Sequence, residues 1–143
     1  ELIGLHKSVG MLILLFALVR IVWRFLNKFP KPITPLVNWQ EKLAKLTHWV
    51  LIIGTVLMPV SGIFMAIGGG HAVGIFGFEI IAGSPDKIEM LSKIGHIIHG
   101  LGGKLLILFV FLHFIGAIKH QFIDKDGTLS RMLGIKVSVK ENS

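Results

Sequence analysis

Leu105-Leu106-Ile107-Leu108-Phe109-Val110-Phe111-Leu112-His113-Phe114-Ile115-Gly116-Ala117-Ile118 is an apolar run broken by a single histidine. With its flanks it covers about residues 94–122, enough to cross roughly 30 Å of hydrocarbon at 1.5 Å per residue. Two other stretches are long enough: about 5–29, which holds Met11 to Val19 and is interrupted by Arg20 and Arg24, and about 47–67. The 143 residues are 52% apolar, with a mean hydropathy of +0.74, too apolar for an ordinary soluble domain. Buried helices of a soluble all-α protein seldom reach these lengths. A spanning segment must satisfy its own backbone hydrogen bonds, so each stretch is expected to be a helix. The fold class that follows is all-α, a transmembrane helical bundle in one domain, 1–143, with a polar tail over 123–143. A secretory signal is excluded, because the first stretch is too long and lacks a small-residue cleavage site.

Charge sets the expected orientation. Arg24, Lys28, Lys31, Lys42 and Lys45 follow the first stretch against only Glu41, and Lys119, Lys125, Arg131, Lys136 and Lys140 follow the third. Between the second and third, Glu79, Asp86 and Glu89 outnumber Lys87 and Lys93. The positive-inside rule puts the first loop and the C-terminus in the cytoplasm and the segment from His71 to Lys93 outside. The net charge of +7 is then mostly a topology signal. The basic residues flank spans and are not interleaved with exposed aromatics, so a nucleic-acid partner is not expected.

The histidines fall into layers. His99 and His113 are fourteen residues apart, almost four helical turns, and share one face at depths about 21 Å apart. His6 precedes its apolar run as His99 precedes its own, and both segments run in the same direction, so His6 and His99 could hold one metal between them. His113 lies at a second level, roughly 13 Å from the cytoplasmic end of its helix. His48 opens the second stretch and reads as too shallow, by more than two turns, to be its partner. The missing ligand is therefore expected from a helix outside this chain; Glu1 is not a natural start, which implies one more span and one more histidine before it.

The chain has no cysteine, which excludes thiolate-held iron–sulfur clusters and covalent C-x-x-C-H haem. Imidazoles without nearby carboxylates, set in apolar walls, suit haem iron better than calcium or magnesium. A small residue stands one turn past each ligand: Gly10 after His6, Gly103 after His99, Gly116 and Ala117 after His113. A flat macrocycle needs that missing volume, although small residues also let membrane helices approach. Arg20, fourteen residues after His6, reaches the inner level, where a haem propionate would supply the anion that usually pairs with a buried arginine; the alternative, snorkelling toward the cytoplasmic headgroups, fits Arg24 better. Lys104 is a candidate partner for an outer propionate or a marker of the outer interface. His96 is rotated about 100° from the His113 face; His120 lies at the cytoplasmic boundary, and His71 in a glycine-rich outer loop.

Leu5-His6-Lys7-Ser8-Val9-Gly10, Val19-Arg20, Trp23-Arg24, Leu43-Ala44-Lys45-Leu46-Thr47-His48, Met58-Pro59-Val60-Ser61-Gly62, Leu112-His113 and Lys125-Asp126-Gly127-Thr128-Leu129-Ser130-Arg131-Met132 together resemble the prokaryotic cytochrome b561 family over nearly the whole chain. The resemblance implies a four-helix membrane bundle, of which this chain carries three spans, with two b-type haems each held by two histidines. By matching position, His6 and His99 ligate the outer haem, and His113 the inner one with a partner on the family's first helix. It further implies electron transfer at the bacterial inner membrane in exchange with the quinone pool. Some members are similar to superoxide oxidases that pass an electron from periplasmic superoxide to ubiquinone; others serve redox partner proteins. Lys7, Lys93 and Lys104 could draw an anionic donor. The competing expectations are a relay or anchor subunit of a larger redox complex, and a histidine-lined metal or proton transporter. The last calls for polar groups within the spans, where only Arg20 and Lys104 occur.

Overall fold

A computed structural model describes residues 1–27, 38–125, 130 and 134. Lys28, Lys31, Arg131, Lys136, Lys140 and most of the motif from Asp126 to Met132 lie outside the described residues. The order is α1 (Leu2–Leu26), α2 (Asn38–Gly68), β1 (Val73–Ile75), β2 (Phe78–Ile81) and α3 (Glu89–Ile118), which widens into a π-helical turn over Lys119–Ile123. All three helices are long and apolar enough to cross a membrane.

Two helix ends differ from the sequence expectation. α1 stops at Leu26 because Asn27 is extended (φ −122°), while its side-chain amide and backbone N–H both donate to the Trp23 carbonyl, at 2.9 and 3.1 Å. α2 starts nine residues before the apolar run, at Asn38. Its first turns are polar, with Glu41 and Lys45 paired one turn apart, and such a segment continues a helix without being apolar. At 31 residues α2 is about 46 Å long, so its ends project past the hydrocarbon.

Large side chains face outward and small ones inward, the reverse of a soluble core. Phe16, Trp23, Phe25, Trp49, Ile107, Phe111 and Phe114 are exposed, while Ser8, Thr47, Ser61, Ala66 and Ala117 are buried. Hydrocarbon solvates the large residues as well as a protein interior does, so helices gain by close approach of small ones. α2 is the centre, with α1 and α3 packed against it but not against each other among the described residues. α2 and α3 are antiparallel in one continuous register. Gly68 abuts Ser92, Gly95 meets Met65 and Ser61, Gly62 meets His99, and Gly54 meets Leu106.

The expected open loop between the second and third spans contains an antiparallel hairpin. β1 and β2 pair Ile75 with Phe78, leaving Phe76-Gly77 as a two-residue turn with both φ positive, at 46° and 88°. That geometry is natural for the glycine and strained for the phenylalanine. An anchor offsets the strain: the Phe76 N–H donates to Ser8 Oγ (2.8 Å), and Ser8 donates to the Gly4 carbonyl (2.9 Å). The hairpin is thereby tied to α1 two residues past His6.

Candidate functional site

α1 and α3 leave a gap across the face of α2, and two histidine rings reach over it. His6 on α1 and His99 on α3 have ring centroids 5.9 Å apart and planes 84° apart. This is the pairing the sequence predicts. Iron held about 2 Å from one nitrogen of each ring sets the centroids roughly 6.3 Å apart, so the pair suits a metal between the rings with a half-ångström adjustment.

The hydrogen bonds of His99 show which of its nitrogens is free. Nδ1 lies 3.0 Å from the Met58 carbonyl oxygen and 3.0 Å from Ser61 Oγ. A carbonyl only accepts, so Nδ1 carries the proton and Nε2 presents its lone pair. Metal-binding histidines are commonly fixed in this way, through the ring nitrogen away from the metal. Beneath the ring, a Cβ on Gly62 would stand 3.5 Å from Cε1, in van der Waals contact, so the ring lies directly on this part of α2. The residues present therefore fit haem iron at this position.

At the other end of the bundle the structure corrects the reading of His48. Its ring lies 5.4 Å from that of His113, at 65°. The histidine thought too shallow reaches the inner level because the α2–α3 register that puts Gly62 on His99 also puts His48 on His113. Depth measured from the edge of the apolar run misplaced it, since α2 is helical for nine residues before that edge. Arg20 is exposed on the α1 surface.

The small residues divide. A Cβ on Gly10 or Gly116 would meet nothing within 4 Å, leaving open helix surface beside His6 and His113. Gly103 instead turns toward α2, where a Cβ would stand 3.3 Å from the Met58 methyl, so its missing side chain serves helix packing. Lys104 is exposed. At the hairpin end a cleft of about 590 Å³ is lined by Gly68, Gly69, His71, Lys87, Glu89, Ser92, Lys93 and His96. His96 Nδ1 donates to the Ser92 carbonyl (2.8 Å), so it turns to this cleft and away from the His99 ring, as its helical phase predicts.

Sequence reasoning missed two contributors, the Met58 carbonyl and Ser61. The Met58-Pro59-Val60-Ser61-Gly62 motif was visible, but its opposition to His99 depends on the α2–α3 register.

A sequence model of the prokaryotic cytochrome b561 family matches residues 1–134. Among curated proteins, the chain is 31% identical over 131 residues to cytochrome b561 homolog 2 of Escherichia coli, covering 91% of this chain and 69% of that protein. It is 32% identical over 130 residues to cytochrome b562 of Cereibacter sphaeroides, covering 90% and 66%. To a probable superoxide oxidase, CybB, of Yersinia pestis it is 26% identical over 133 residues, covering 90% and 73%.

Proposed function

The chain belongs to the prokaryotic cytochrome b561 family, and from that premise we propose that it moves electrons through the membrane by way of two b-type haems at two depths. Membrane electron transfer and haem b are common ground for such a cytochrome. Bound haem supplies a one-electron iron couple; the protein supplies ligands, electrostatics and access.

The observation that carries the reading is the His6–His99 pair across the α1–α3 gap. His6 and His99 would hold the outer iron, and Gly10 leaves the helix surface beside His6 clear for the macrocycle. Lys104 stands close enough along α3 to serve an outer propionate. His113, fourteen residues further along α3, marks the inner level about 21 Å away. Arg20 supplies the cation for an inner propionate, which the cost of an arginine in a span favours.

The second inner ligand is the point at which magnitude decides. The His48–His113 separation of 5.4 Å falls about 1 Å short of the roughly 6.3 Å an axial pair needs. We therefore keep the assignment implied by the family: His113 would bind the inner iron with a histidine carried on the family's first helix, and His48 stands beside that site.

Electrons enter at the hairpin end, where Lys87 and Lys93 line the cleft, and leave to quinone. Two lysines against the single carboxylate of Glu89 in this lining favour an anionic donor, and superoxide is the donor we propose. In this orientation the hairpin faces the periplasm of the bacterial inner membrane and the C-terminus the cytoplasm. The test is a reduced-minus-oxidised visible spectrum with haem quantified per chain. Two b-type haems are expected; one haem leaves only the His6–His99 site complete, and absence of haem overturns the reading.

A further inference from the structure

Ser61 is the most completely buried side chain of appreciable size among the described residues, at 1% exposure. It is a hydroxyl within the apolar part of a spanning helix, seven residues before the C-terminal end of α2. Its proton goes to the Met58 carbonyl three residues back, at 2.8 Å, a local bond that satisfies a helical serine. Its oxygen lone pairs remain, and the Nδ1–H of His99 donates to one of them. The same N–H reaches the Met58 carbonyl at 3.0 Å. Serine, imidazole and carbonyl thus close a three-membered ring of hydrogen bonds between α2 and α3.

Pro59 follows Met58 and has no N–H to offer the Thr55 carbonyl, which weakens the helical ladder just before the motif. Gly62 then lets the imidazole lie on the helix surface. The two contacts at Nδ1 set both the tautomer and the plane of the ring. In the opposite tautomer, the Nδ1 lone pair would face two oxygen atoms and an N–H would face the metal.

We propose that Ser61 is a positioning residue for the outer haem: with the Met58 carbonyl it holds His99 in the Nδ1–H tautomer, with Nε2 free and the ring plane near perpendicular to that of His6. The inference rests on His99 being an axial ligand. Loss of an outer-shell partner of a metal-bound histidine costs about 10- to 100-fold in affinity. The Met58 carbonyl remains in S61A, so the expected loss is roughly tenfold, at the lower end of that range.

The experiment compares wild type, S61A and H99A in two assays: haem transfer to apomyoglobin, and the low-spin ferric EPR spectrum. H99A is expected to lose the outer haem outright. S61A is expected to keep it, release it about tenfold faster, and replace its single strongly anisotropic EPR signal with a broadened one, leaving the inner haem unchanged. S61C, which substitutes a weak sulfur donor and acceptor, shifts both readouts in the same direction and serves if S61A folds poorly. Wild-type release and EPR at the outer haem overturn the inference, as does an equal change at both haems, which marks a general packing defect. Retention of every haem by H99A overturns the ligand assignment itself.

Discussion

His6 and His99 stand ring to ring at 5.9 Å although the helices that carry them do not pack on each other. The space between α1 and α3 is crossed by imidazoles at the outer level, and α2, together with the hairpin anchored on Ser8, sets how far apart the two flanking helices sit. An imidazole from each flanking helix, brought face to edge beside α2, is the arrangement on which the proposed outer haem site rests.

Glycines beside this site and glycines between helices should respond differently to alanine. A Cβ at Gly10 meets no atom within 4 Å, so G10A should fold normally and lower haem occupancy at the outer site. A Cβ at Gly95 would lie 2.8 Å from the Met65 amide nitrogen and 2.9 Å from the Ser61 carbonyl oxygen. Backbone atoms cannot yield locally, so G95A should cost roughly 1–3 kcal/mol. Thermal unfolding in detergent, with haem content measured in parallel, separates the two; full haem occupancy in G10A contradicts a macrocycle beside His6.

His48 touches His113 but is not assigned to the iron. H48A should keep a full complement of haem and shift the midpoint potential of the inner component only, because an imidazole beside that site is lost. Spectroelectrochemical titration reads both quantities. Loss of one haem in H48A would make His48 the inner ligand.

Lys93 lines the cleft at the hairpin end and Lys104 lies further along the same helix. If the donor is anionic, K93Q/K104Q should slow reduction by superoxide several-fold and flatten its dependence on ionic strength, with haem content unchanged. An unaltered rate in stopped-flow mixing removes these lysines from the donor path.

The chain lacks cysteine, which makes its orientation directly measurable. E79C on the exposed β2 strand and K42C on the exposed start of α2 should label oppositely in intact cells. A membrane-impermeant maleimide should reach E79C at once and K42C only after permeabilisation. The reverse pattern inverts the proposed topology.

The three spans were legible because hydrocarbon imposes one rule on every spanning segment, and Leu105 to Ile118 obey it with His113 as the single exception. The helix ends were less legible. Hydropathy marks where the chain is apolar, whereas Glu41 and Lys45 extend α2 as a polar helix. The same gap hid the His48–His113 contact: depth was read from an apolar boundary, but partner choice is set by the α2–α3 register. His6 and His99 were legible because they are on parallel segments at equal distances from their apolar runs, so any error in that boundary cancels. Ser61 and the Met58 carbonyl were not, since a second-layer contact appears only once two helices are aligned. The hairpin escaped because its strands are three and four residues long, too short for alternation to register.

The most direct test of the account is to count and identify haem in H6A, H99A and H113A by reduced-minus-oxidised spectra and redox titration. H6A and H99A should each lose the same single component, with the same absorbance band and midpoint potential missing from both, while H113A loses the other. Loss of different components by H6A and H99A, or full haem retention by either, would contradict an outer haem held between α1 and α3.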